Sequence, residues 1–168
     1  MRAWRFRPHG TIVDEETFAG VTELEIRQAV RLQYAVSMLT IHQSRNGAVA
    51  NPAEAAEQLA EVLSPVIRST DVIEIGPSAP TVRVLLVGGE LEDLRLIIQR
   101  IIAEISHHRF DEQHTPVVLS VGGSSVPATA RSPQELFLQA DALAAEARET
   151  RQPYSTYRLP YRFDGGPE

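Results

Sequence analysis

The chain has 168 residues, the size of one domain, and is long enough to bury about 70% of the surface that its unfolded form exposes. Its 43% hydrophobic and 23% charged residues exclude a disordered chain, and no apolar run reaches the length of about 20 residues that crosses a bilayer. The 16 basic residues, every one Arg, stand against 22 acidic residues for a net charge of -6; this argues against nucleic acid as a partner, and the lack of lysine excludes Schiff-base chemistry and a Walker-type phosphate loop.

With no cysteine there is no disulfide, thiol nucleophile or thiolate metal site. The start Met1-Arg2-Ala3-Trp4-Arg5-Phe6 lacks the apolar stretch of a secretory signal, so a cytoplasmic address without membrane insertion is expected. Residues 1–10 are expected to be loose, although Trp4 and Phe6 can add an edge strand. Thr22 followed by Glu25 predicts a helix start, because each side chain can satisfy a backbone N–H that the first turn leaves unpaired. Residues 35–41 are apolar and β-branched and read as a strand. After a loop over 46–51, Asn51 and Glu54 repeat the capping pattern with Pro52 at the first helical position, and Ala55, Leu59, Val62, Leu63, Val66 and Ile67 form one apolar stripe. Residues 71–75 and 81–87 are strands joined by Gly76-Pro77-Ser78-Ala79-Pro80, too short for a helix and rich in turn formers, so they form a hairpin. A helix follows over 91–107, then a strand over 115–121. The next loop, 122–132, contains a Gly122-Gly123-Ser124-Ser125 turn that can present backbone N–H groups to an anion. Ser132 and Glu135, with Pro133, open the last helix, and an extended piece lies around 155–163. The order helix, β-α-β-β-α-β, helix, strand predicts an α+β fold with a ferredoxin-like core. It forms a single domain over 1–168: an extension over 1–20, a core over 22–153, and a C-terminal strand and tail over 154–168.

Several local motifs resemble the GGDEF family, the diguanylate cyclases that condense two GTP into c-di-GMP. Val118-Leu119-Ser120-Val121-Gly122-Gly123 is similar to the family's TVSIGVA strand, and Ser132-Pro133-Gln134-Glu135-Leu136-Phe137-Leu138-Gln139-Ala140-Asp141-Ala142 to its S-x-E-E-L-L-x-x-A-D-x-A helix. Glu25-Ile26-Arg27-Gln28-Ala29-Val30-Arg31 and Val36-Ser37-Met38-Leu39-Thr40-Ile41-His42 resemble the helix and first strand that end in D-x-D. Arg68-Ser69-Thr70-Asp71 stands where the family carries R-x-x-D, just before its signature hairpin. The resemblance covers about residues 22–153 and implies a nucleotide-cyclase type of α+β fold.

The register set by R-x-x-D places Pro77, Ser78, Ala79, Pro80 and Thr81 where the family reads Gly-Gly-Asp/Glu-Glu-Phe. Thr40 and His42 occupy its two strand Asp positions. Two-metal phosphoryl transfer needs carboxylates to hold Mg²⁺, because a hard cation prefers anionic oxygen. At the catalytic positions Thr40, His42, Ala79 and Pro80 there is none, so the expectation is a catalytically inactive domain with no metal and no cofactor. Arg148 stands where the family has a phosphate-contacting lysine, while Gln152 and Pro153 replace the Arg-Asn that follows there.

Two readings of Arg68 and Asp71 stand side by side. The resemblance implies an inhibitory site in which Arg forks onto c-di-GMP and Asp accepts from guanine, with Arg100 as a further contact. The plainer reading is an ion pair at a helix end. His107, His108 and His114 with Asp111 and Glu112 have metal-ligand chemistry, but their spacing fits no zinc pattern and they read as a polar helix end. Tyr154, Tyr157, Tyr161 and Phe163, interleaved with Arg158 and Arg162, are expected to close a sheet edge or meet a partner. The functional expectation is therefore a regulatory or scaffold module of bacterial signalling that binds another signalling protein or a second copy of itself. The alternative is a c-di-GMP receptor using Arg68, Asp71 and Arg100, and an active cyclase ranks last.

Overall fold

The computed structural model describes residues 10–45, 51–75, 81–112, 114–150 and 152–163. In chain order these form β1 (Thr11–Val13), α1 (Glu15–Leu32), β2 (Val36–Arg45), α2 (Pro52–Leu63), β3 (Val72–Ile75), β4 (Thr81–Val87), α3 (Leu94–His107), β5 (Val117–Val126), α4 (Pro133–Glu149) and β6 (Thr156–Arg158). The strands make one sheet in the order β1-β3-β4-β2-β5-β6. Its four inner strands are the expected ferredoxin-like core: β3 and β4 form the predicted hairpin, and β2 lies antiparallel to both β4 and β5. The short strands β1 and β6 extend the edges, each parallel to its neighbour. Residues 76–80, among them Ala79 and Pro80, lie outside the described residues, as do Trp4, Phe6 and residues 164–168.

Alternation along the strands divides the core into two layers, because successive side chains point to opposite faces. On one face Leu39, Ile41, Ile73, Val82, Val84, Leu86, Leu119 and Val121 meet Leu59 and Leu63 of α2 and Leu94, Ile98, Ile101 and Ile105 of α3. On the other, Val36, Met38, Leu85 and Val126 meet Phe18, Ile26 and Ala29 of α1 and Leu136 and Ala140 of α4. Phe18 and Phe137 pack edge to face at 5.9 Å and join the two helices of this second layer. Asn51 and Ser132 cap α2 and α4 as predicted, each side chain accepting from a first-turn backbone N–H. Among the described residues no helix is long and apolar enough to cross a membrane.

Three expectations are corrected. The first helix starts at Asp14, whose carboxylate accepts from Thr17 N at 2.8 Å. Thr22 lies inside the helix, buried, and its hydroxyl donates to Phe18 O. Ordered packing therefore reaches into the segment read as an extension, and β1 adds an edge strand there. The second correction is that Gly122, Gly123, Ser124 and Ser125 belong to β5, paired with residues of β2 from Thr40 back to Ser37, so their backbone groups face a strand and not an anion. Third, β2 runs on to Arg45, because its partner β5 is equally long.

Gly122 is required by a close approach. A Cβ there would strike the α4 backbone at Ala140 O and Ala144 N, so only glycine lets the helix settle onto the sheet. Gly122→Ala should lower stability by roughly 3 kcal/mol, since helix backbone cannot yield as a side chain can. A urea denaturation midpoint equal to that of the wild type would contradict this packing.

Candidate functional site

A row of residues crosses the sheet face beneath α1 and α4. Glu74 of β3 pairs with Arg83 of β4, Arg83 with Thr40 of β2, and Thr40 with Gly122 of β5. Directly opposed residues share a face, so three polar side chains lie side by side on this face. Gly122 ends the row and brings α4 close enough to set Asp141 above it.

Arg83 is the centre of this arrangement. Its Nη1 donates to Glu74 Oε1 at 2.6 Å, while Nε and Nη2 fork onto Asp141 Oδ1 and Oδ2 at 3.0 and 2.8 Å. The Thr40 hydroxyl donates to Asp141 Oδ1 at 2.6 Å, and the Phe137 ring lies 5.6 Å from the guanidinium carbon. His42, the next residue on this face of β2, has Nδ1 2.7 Å from Thr81 Oγ1. With Glu15 from the first turn of α1, these residues line a cleft of about 270 Å³.

Burial shapes the charges here. Glu74 is only 3% exposed, and desolvation pushes its carboxyl upward against the opposing pull of Arg83. The hydrogen bonds to Asp141 hold the Arg83 guanidinium charged despite its own burial. His42 is pushed below the ordinary imidazole range, first by burial and then by Arg148 from the last turn of α4. Arg148 thus acts on the cleft electrostatically, near the strand positions 40 and 42.

These residues do not fit a divalent metal. Positions 40 and 42 offer a hydroxyl and an imidazole, and the carboxylates of Glu74 and Asp141 are already taken up by one guanidinium. Among the described residues no group of three or more His, Asp or Glu converges to hold a metal.

Arg68, Asp71 and Arg100 line one pocket of about 80 Å³ on the opposite side of the sheet, with Val66, Ile67, Leu86 and Ile97. Asp71 is buried, and its two carboxylate oxygens accept from Arg68 N at 2.9 Å and Val87 N at 3.0 Å. The bond joining Arg68 and Asp71 thus comes from a backbone N–H of Arg68 and not from its guanidinium. Asp71 fastens the segment after α2, at Arg68, to the end of β4 at Val87. The histidines at the end of α3 are engaged locally: His107 Nδ1 lies 2.6 Å from Ala103 O, and His114 meets Arg109. Of the aromatic segment, Tyr157 packs on the core from edge strand β6, whereas Tyr161 is 96% exposed.

Sequence reasoning missed Arg83 and Glu74 and saw Asp141 only as part of a helix motif. A signal was present: a Glu in Val72–Ile75 and an Arg in Thr81–Val87 are charges inside apolar strands, and the hairpin register sets them opposite each other.

Because folding keeps His42 less protonated than the unfolded chain does, the stability carried by its neutral form is present above about pH 6.5 and is lost as pH falls through that value. Glu74 and Asp71 act in the opposite sense, since their raised pKa values favour the folded state as pH falls toward 4.5 and 3.8. The contribution of His42 is therefore read by difference: on acidification through pH 6.5, wild type should lose more stability than His42→Gln in urea titrations. Equal losses would contradict this assignment.

No family model matches the chain, and no curated protein matches its sequence. Its fold, however, matches solved structures. The GGDEF domain of YfiN (TpbB) from Pseudomonas aeruginosa aligns with TM-score 0.76 at 21% identity, over 88% of this chain and 95% of that one. The coiled coil and GGDEF domain of DgcB from Caulobacter crescentus, solved in complex with c-di-GMP, aligns with TM-score 0.74 at 10% identity, over 89% and 82%. The diguanylate cyclase SiaD from P. aeruginosa, solved with its activator SiaC, aligns with TM-score 0.71 at 12% identity, over 86% of this chain and 58% of that one. The six-stranded sheet, its four helices and these alignments together give the chain the fold of a GGDEF domain.

Proposed function

We propose that this chain is a catalytically inactive GGDEF-fold domain that works by binding another protein, as a regulatory or scaffold module of bacterial c-di-GMP signalling. The observation that carries this reading is Arg83, whose guanidinium lies bonded between Glu74 and Asp141 in the cleft that Thr40 and His42 also line. Cyclisation of GTP requires carboxylates that hold Mg²⁺ against the attacking hydroxyl and the phosphate. Here the strand positions carry neutral groups, and one permanently charged side chain is bonded to two of the cleft's carboxylates, Glu74 and Asp141. In the sequence the hairpin turn likewise offers Ala79 and Pro80 in place of acids. A protein partner is consistent with SiaD, a cyclase of this fold solved with a separate activator protein. Self-association is the other form such binding can take.

One observation favours a second reading, a c-di-GMP receptor: Arg68 and Arg100, distant in sequence, line the same pocket. Two guanidinium groups suit a phosphodiester, and DgcB was solved with c-di-GMP bound. Against it, both Asp71 oxygens are occupied by backbone N–H groups, which leaves recognition to the arginines.

Incubation of the purified chain with GTP and Mg²⁺ should yield no c-di-GMP by chromatography; product formation would overturn the primary reading. Calorimetric titration with c-di-GMP separates the two binding roles. Saturable heat that disappears in Arg68→Ala would establish the receptor, whereas no heat with wild type supports the protein-binding module.

A further inference from the structure

The cleft on the α1/α4 face, which Glu15 also lines, sets two carboxylates, Glu74 and Asp141, on one cation that belongs to the chain itself. The geometry is specific to a planar fork. Three guanidinium nitrogens of Arg83 meet three carboxylate oxygens, Glu74 Oε1 and both oxygens of Asp141, at 2.6 to 3.0 Å, and the Phe137 ring lies 5.6 Å away. The side chain of Glu74 is 4% exposed, so it has little access to water as an alternative partner. Without Arg83 it becomes a buried, unpaired charge facing a cavity shaped for a flat cation.

We propose that Arg83 is a resident cation: its guanidinium fills a guanidinium-binding site formed by Glu74 and Asp141, and that site accepts a soluble guanidinium compound once the side chain is removed. The site suits a flat, three-pronged donor, because each of its three oxygens meets a different nitrogen of the same guanidinium. A bare divalent ion instead draws its oxygen ligands to about 2.0–2.6 Å from one centre. This inference deepens the reading of an inactive cleft, since a site that carries its own cation does not take up a metal-bound nucleotide. The two claims fail separately: GTP turnover by wild type defeats the inactive reading, whereas the resident-cation claim is decided without any nucleotide.

The test is chemical rescue of the full chain with methylguanidinium, read as Tm against matched sodium chloride. Arg83→Ala should melt below wild type, and millimolar methylguanidinium should raise its Tm saturably while leaving wild type unmoved. The rescue should vanish in Arg83→Ala combined with Glu74→Gln and Asp141→Asn, which removes both anionic partners. If Arg83→Ala does not fold alone, the supporting result is recovery of folded protein when methylguanidinium is present during refolding, and failure of that recovery is the opposing one. No Tm shift, or the same shift in the triple variant, overturns the proposal. So does a shift with Mn²⁺ or Mg²⁺ as large as that with methylguanidinium, which would mean that the site is a general cation sink and not a guanidinium fork.

Discussion

Three charge-assisted hydrogen bonds from Arg83 tie β3, β4 and α4 together at one point. The residue sits on β4, receives Glu74 from β3 and reaches Asp141 on α4, which also accepts from Thr40 of β2. The hairpin, the central strand and the last helix thus share one polar centre. Such a centre is costly to form where Glu74 leaves water almost entirely, and that cost is met only if its partner Arg83 is present. Removing one partner from such a buried pair typically costs about 3–5 kcal/mol, far more than breaking the exposed Arg27–Glu23 pair on α1.

That polar centre depends in turn on a backbone approach. Asp141 can stand over Arg83 because α4 lies against β5 at Gly122, where no side chain intervenes. The small residues Ala140, Ala144 and Ala147 on the buried stripe of α4 keep the helix low on the sheet. The short side chains on both surfaces set the height at which a carboxylate of ordinary length meets a guanidinium from the strand below. Packing here is the means by which electrostatic geometry is fixed.

How far this was legible in the sequence follows from the range of each interaction. Helix caps at Asn51 and Ser132 and the hairpin of β3 and β4 are local, and they were readable from spacing alone. The start of α1 was misplaced because Thr22 and Glu25 imitate a capping box, whereas the cap that forms is Asp14. Gly122 to Ser125 were read as a turn on composition, but strand pairing with β2 overrides that preference when both faces are covered. The family resemblance led to Thr40 and His42 and to Arg68 and Asp71, and the fold does place the first pair in one cleft and the second beside one pocket. It did not lead to Arg83, because a contact spanning 58 residues to Asp141 leaves no trace in local spacing. Only the two charges inside apolar strands hinted at it.

Fold and chemistry in this chain are carried by different residues of the same strands. On β2, Leu39 and Ile41 face one layer and hold α2 and α3, while Thr40 and His42 face the other and line the cleft. The apolar set can therefore build the sheet whatever stands at the alternate positions, provided the charges there are paired. Identities of 10–21% alongside TM-scores above 0.7 are what such a division produces. The polar row across Glu74, Arg83 and Thr40 is then the part of the sheet in which side-chain chemistry, and not apolar packing, sets which residues are compatible. In this row the two carboxylates of Glu74 and Asp141 share one internal cation, Arg83. Outside the row, Arg68 and Arg100 line a separate pocket and Tyr161 stands exposed.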